Sequence, residues 1–121
     1  MYLKRLSLLN FKNVAQEELR LCPGVNCFVG DNGAGKTNIM EAVYYLSMCK
    51  SSLGMTDGQS IRHGADFFVV EGSYLTDAGR TEQVSCSFAR KGGKVLKRNG
   101  KEYERLSDHV GLVPVVIISP A

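Results

Sequence analysis

Gly30-Asp31-Asn32-Gly33-Ala34-Gly35-Lys36-Thr37 fits the spacing G-x-x-x-x-G-K-[ST] at every fixed position. The chemistry that spacing serves is the holding of a polyphosphate. Glycines let successive backbone N–H groups turn inward onto phosphate oxygens, with no side chain in the way. A helix that starts there adds the partial positive charge of its N-terminus. Gly33, Ala34, Gly35 and Lys36 would donate backbone N–H groups, with Gly30, Asp31, Asn32 and the following Asn38 completing the candidate set. Lys36 would neutralise the β- and γ-phosphates, and the Thr37 hydroxyl would hold Mg²⁺. The ligand implied is a nucleoside triphosphate, with ATP and Mg²⁺ as cofactors.

Such a loop needs a strand to deliver it and a helix to carry the chain away. Residues 25–29 are a short apolar run that reads as a buried strand, and residues 38–48 repeat Ile39, Ala42, Val43 and Leu46 at helical spacing. Upstream, Leu3, Leu6, Leu8, Leu9 and Phe11 predict a strand over 2–11. A second covers 17–21, and Pro23-Gly24 turns the chain into the loop strand. Residues 51–64, rich in Gly, Ser, Asp and Thr, should be irregular. Strands follow at 67–75, 81–90 and 94–98, then Asn99-Gly100, a strong hairpin signal. Residues 107–110 suggest a helical turn, and 113–118 are continuously apolar, as in a strand buried on both faces. The order predicts an α/β P-loop NTPase: a mixed sheet around the loop helix and an antiparallel β subdomain over about 65–119.

The bulk numbers permit this and exclude other classes. A chain of 121 residues can bury one core, and 44% apolar with 22% charged residues excludes a disordered polyelectrolyte. Net charge of +3 permits a polyanionic partner without demanding one. Cys22, Cys27, Cys49 and Cys86 form no C-x-x-C and have no histidine at metal-ligand spacing, which argues against a zinc site. Cys27 and Cys49 sit in apolar stretches and should be core residues. No signal core and no run near the roughly 18 apolar residues of a membrane span is present, so a cytoplasmic protein is expected.

The acidic half of the site is missing. P-loop ATPases hold Mg²⁺ with an Asp that ends a buried strand, often followed by a catalytic Glu. Residues 113–118 end instead in Ser119-Pro120-Ala121, and Asp57 and Asp66 lie in or beside a loop. The chain therefore reads as part of a longer protein, with no catalytic residue of its own. It is not expected to hydrolyse ATP efficiently alone.

Leu9-Asn10-Phe11-Lys12-Asn13, together with the loop at 30–37, resembles the head domains of SMC-like ATPases, which are built like ABC ATPases. Within that group the chain is similar to the RecF family of bacterial replication and repair proteins. Glu41-Ala42-Val43-Tyr44-Tyr45-Leu46-Ser47, Ile61-Arg62-His63-Gly64 and Ile118-Ser119-Pro120 carry that resemblance across essentially the whole chain. It implies the first lobe of a head that binds ATP between two copies, dimerises on ATP and binds DNA. It also implies work with RecO and RecR to load RecA at gaps, in recombination repair, replication restart and the SOS response. The signature motif and magnesium-binding acid would come from the later part of the family's longer chains. Family members usually carry Arg where Lys12 stands, and a basic, aromatic loop where this chain has Lys50-Ser51-Ser52-Leu53-Gly54-Met55.

Other residues carry two readings each. Lys12 and Asn13 follow the first strand, where related heads approach the nucleotide, or they are a solvated strand end. Arg90, Lys91, Lys94, Lys97, Arg98 and Lys101 put six basic groups and no acidic one into residues 90–101. They are the DNA candidates, through sequence-independent phosphate contacts with Tyr103 near enough to stack. Equally, lysines guard an exposed sheet edge against aggregation. His63 and His109 read as structural or exposed. Asn38 and Glu41 read as first-turn helix residues, Glu41 without a catalytic role. Two rival functions stay open: an ABC-transporter ATPase, against which Ser119-Pro120 argues where a Gln is usual, and an inert fragment that binds no nucleotide.

Overall fold

Leu6 and Leu8 alternate with Arg5 and Ser7, and Phe68, Val70 and Gly72 with Val69, Glu71 and Ser73. That period of two gives each strand one face for a core and one for water. A computed structural model describes residues 2–20 and 33–103, without the side chains of 33–36. It forms β1 (Tyr2–Phe11), β2 (Val14–Arg20), α1 (Gly33–Met48), β3 (Phe67–Leu75), β4 (Thr81–Ala89), β5 (Gly93–Arg98) and β6 (Lys101–Glu102). The strands make one six-stranded sheet in the order β2-β1-β3-β4-β5-β6, with every pairing antiparallel. The first two strands thus share the sheet of the predicted β subdomain. The loop strand at 25–29, the turn at Pro23-Gly24, the predicted elements at 107–110 and 113–118, and Cys22, Cys27 and His109 lie outside the described residues.

Helix α1 covers one face. Leu6, Leu8, Phe68, Val70, Tyr74, Val84, Cys86 and Leu96 meet Ala42, Tyr45, Leu46 and Cys49 in the core. The rings of Phe11, Tyr45 and Phe68 pack edge-to-face at 5.2, 5.4 and 5.6 Å between centroids. Gly72 sets the close approach of helix and sheet: a Cβ there would stand 2.6 Å from Leu46 Cδ1. The opposite face is polar, and Arg5, Ser7, Glu71, Gln83 and Lys97 line a hollow of 380 Å³ on it.

Two boundaries differ from expectation in ways that matter for the site. Helix α1 begins at Gly33, not at 38, so the second half of the glycine-rich loop is itself helical. Apolar periodicity misses that start because the first turn carries phosphate-binding residue types, not core ones. Glu41 is therefore in mid-helix, and at 1% exposure it is buried, which corrects the first-turn reading. The buried stripe is Asn38, Glu41, Ala42, Tyr45, Leu46 and Cys49, whereas Ile39 and Val43 are only half-buried. Likewise β2 starts at Val14; the run Gln16-Glu17-Glu18 breaks the alternation that would have announced it.

The end of β1 is bent by two residues in the left-handed region, Asn10 (φ 52°) and Lys12 (φ 57°). Each such residue costs roughly 1 kcal/mol, and backbone bonds hold both in place. The Lys12 N–H donates to Ser60 O and the Arg62 N–H to Asn10 O, each at 2.8 Å. The 3-10 turn Gly58–Ser60 and Ile61, which bridges to Phe11, are thereby docked beside the β1–β2 turn.

Candidate nucleotide site

Gly33, Ala34, Gly35, Lys36 and Thr37 open α1, and no acidic residue stands in its first turn. The first backbone N–H groups of a helix have no partner within it, so this positive end is available to an anion. Thr37 is exposed there. Gly30, Asp31 and Asn32 lie outside the described residues. The donor set that is described fits a triphosphate and its magnesium ion: backbone amides, a lysine position and an exposed hydroxyl.

Asn38 ties this helix end to the β1–β2 turn, its Nδ2 donating to Asn13 Oδ1. Both are amides, so the bond needs no ion and fixes Asn13 beside the loop. Lys12, on the same turn, points inward. Its Nζ lies 3.5 Å from the Glu41 carboxylate and 2.9 Å from Met55 Sδ, and the side chain is 11% exposed. Glu41 also accepts from Ser51 Oγ at 2.6 Å, from the Ser52 N–H at 2.7 Å and from Ser52 Oγ. Burial opposes ionisation of Glu41, but the Ser51 and Ser52 hydrogen bonds with the Lys12 charge hold its carboxyl below the ordinary value. The described geometry thus uses the Lys12 ammonium to lock the turn to α1 and to the loop after it.

Beyond Asn13 opens a pocket of 620 Å³, lined by Lys12, Asn13, Gln59, Ile61, Arg62 and Arg90 among others. It is an open, largely polar depression, not an enclosed cavity. Sequence spacing did not gather these residues, because Arg62 reaches the pocket through the 3-10 turn and Arg90 through the end of β4. The legible signal was weak: Arg62-His63-Gly64 sits in a loop with no core role. Glu41 was likewise missed, although its position four residues before Tyr45 on the buried stripe was a usable clue.

The basic cluster does not form one surface. Lys94 turns under the sheet, pairs with Asp57 at 3.0 Å, donates to Cys49 O and lies 6.0 Å from the Tyr45 ring centroid. The Tyr45 hydroxyl completes this group, donating to Asp57 Oδ1 at 3.0 Å and lying 3.2 Å from Ser60 Oγ. Arg98 pairs with Glu82 at 2.6 Å. Lys97 points to the opposite, polar face, while Lys91 and Lys101 are exposed at the turns. Asn99 (φ 54°) and Gly100 (φ 82°) make the β5–β6 turn with positive φ at both positions, as the Asn-Gly signal requires. Burial pushes both described thiols up, that of Cys86 to about 12. Among the described residues no helix is long and apolar enough to cross a membrane, and no cluster of His, Cys, Asp and Glu could hold a metal ion.

Comparison with known proteins bears on this geometry. The family model described as "RecF/RecN/SMC N terminal domain" matches residues 2–107. The DNA replication and repair protein RecF of Phocaeicola vulgatus is 55% identical over 121 residues, all of this chain and 33% of that protein. The chain thus spans about a third of the length of the curated relatives it matches. A solved structure of the recombination mediator protein RecF–ATPrS in the RecFOR pathway superposes with a TM-score of 0.83 at 31% identity, covering 91% of this chain and 30% of that one. The SMC head domain from Thermotoga maritima does so with a TM-score of 0.72 at 26% identity, covering 89% and 40%. The described antiparallel sheet and its helix are accordingly part of a P-loop ATPase head, and the transporter alternative draws no support from these relatives. With the family model matched over residues 2–107, the chain belongs to the RecF/RecN/SMC N-terminal domain family.

Proposed function

We propose that this chain is the ATP-binding first lobe of a RecF-type head, in a DNA-binding protein of recombination repair and replication restart. The observation that carries the reading is the G-x-x-x-x-G-K-T loop, whose second half forms the first turn of α1 beside the Asn13 pocket. Backbone N–H groups of Gly33, Ala34, Gly35 and Lys36 hold the triphosphate, with Gly30, Asp31 and Asn32 completing the candidate set. Lys36 offsets the charge on its β- and γ-oxygens. Thr37 would hold Mg²⁺, which supplies charge neutralisation between the phosphates. Asn38 acts through Asn13, keeping the β1–β2 turn at the nucleoside end. Lys12 stabilises that turn from behind.

The solved structures of RecF–ATPrS and RecF–ATP support ATP as the nucleotide. ATP is proposed to serve as a dimerisation switch more than as fuel, as the resemblance to SMC-like heads implies. DNA, RecR and RecO are the proposed partners, with RecA downstream, and the cytoplasm the compartment. MgATP titration of the chain, with Lys36→Ala beside it, tests the reading. Saturable binding lost in the variant is expected. No affinity even at millimolar MgATP would falsify it.

A further inference from the structure

Arg90 belongs by sequence to the basic run at 90–101, but it lines the pocket beside Asn13. A Cβ placed on Gly58 would stand 3.5 Å from Arg90 Nη1, so the guanidinium lies over the 3-10 turn. The Arg90 N–H donates to Asp66 O at 3.1 Å, which fixes the end of β4 against the segment entering β3. The pocket walls come from the turn at Lys12 and Asn13, from residues 58–63, and from Arg90. Lys12 spends its charge inward on Glu41. Among the described residues, neither Arg62 nor Arg90 has a carboxylate partner.

On the phosphate-loop reading the phosphates lie on the first turn of α1, and the Asn38–Asn13 hydrogen bond puts the pocket lined by Asn13 beside that helix end. Among the described residues, that pocket has one apolar wall residue, Ile61, and no Phe, Tyr or Trp. The planes available to stack on a base are guanidinium groups and the His63 imidazole. A guanidinium combines a flat, weakly hydrated face with donors for ring nitrogens or a carbonyl.

We propose that Arg90 is a nucleoside-contacting residue: it closes the pocket opposite Asn13 and stacks on the base of the bound nucleoside triphosphate. The inference rests on the phosphate-loop reading above. Through Arg90 the β4–β5 hairpin becomes part of the nucleotide site.

The test compares MgATP with magnesium tripolyphosphate, which has the phosphates but no nucleoside, on the chain and on Arg90→Ala, Arg90→Lys and Lys91→Ala. Arg90 is exposed, so the fold should survive, and thermal unfolding checks that. Arg90→Ala should weaken MgATP about tenfold and leave tripolyphosphate unchanged. Arg90→Lys should not restore the loss, and Lys91→Ala should bind both ligands normally. Equal weakening of both ligands would make Arg90 a phosphate contact and overturn the assignment. So would full affinity in Arg90→Lys, or unchanged MgATP affinity with weakened duplex DNA binding in Arg90→Ala. If the unsubstituted chain binds neither ligand, the phosphate-loop reading itself fails and this inference falls with it. If it binds both and Arg90→Ala does too, only the Arg90 assignment is lost.

Discussion

The Lys12 ammonium and the Glu41 carboxylate lie 3.5 Å apart, with side chains only 11% and 1% exposed. One belongs to the β1–β2 turn and the other to the middle of α1, so the pair joins two sides of the candidate nucleotide site. Removing one partner of a buried pair leaves the other charge uncompensated. Glu41→Ala should therefore cost about 3 kcal/mol of folding stability. Glu41→Gln, which keeps an acceptor for Ser51 and Ser52, should cost less. Urea unfolding of the three proteins measures this, and a Glu41→Ala loss within about 0.5 kcal/mol would show that the network carries no stability.

The same carboxyl sets an acid limit. Its ordinary value is 4.5 and its folded value is lower, so the folded state binds its proton less readily than the unfolded state. The stabilisation is complete above the ordinary value and is lost as pH falls through the lowered folded one. Unfolding free energy followed from about pH 6 to about pH 3 should drop, and drop less steeply in Glu41→Gln. Parallel curves would assign the acid sensitivity to other carboxylates, such as Glu82 beside Arg98, whose carboxyl is also lowered.

Where one physical rule acts alone, the sequence was readable. Strand β3 falls on its predicted bounds because its alternation runs unbroken between loops, and Asn99-Gly100 turns as expected because few other residues accept positive φ twice. The glycine spacing at 30–37 marked where a helix should follow a loop, and the structure starts that helix at Gly33. Helix α1 was located, but its start was hidden, since core periodicity does not reach a first turn of Gly, Ala and Lys. Glu41 and Lys94 were misjudged for a related reason. A charged residue signals exposure unless its partner is known, and Lys12 and Asp57 are far away along the chain. The pocket at Asn13 was illegible because its walls meet only through backbone bonds between residues 10–12 and 60–62.

Burial predicts unreactive thiols. Cys49 is 4% exposed and Cys86 0%, and burial pushes both above their ordinary values, so neither offers a thiolate to reagent at neutral pH. Alkylation of the native chain followed by peptide mapping should find Cys86 unmodified, and denaturant should release it. Rapid native labelling of Cys86 would mean that the β4 core opens far more often than its packing implies.

The basic residues of the β4–β6 region should separate into two groups. Lys94 and Arg98 are engaged with Asp57 and Glu82, so Lys94→Ala should cost about 1–3 kcal/mol by stranding Asp57 and the Cys49 carbonyl. Lys91, Lys97 and Lys101 are exposed and should be neutral for stability within about 0.5 kcal/mol. If this region contacts DNA, the exposed lysines are the candidates together with the exposed Arg90, and Lys97 lies on the polar face of the sheet. Duplex affinity of the triple alanine variant, measured at low and moderate salt, should then fall with a shallower salt dependence, because fewer counterions are released. An unchanged affinity and salt slope would leave these lysines the role of guarding the β5–β6 edge against pairing with another sheet.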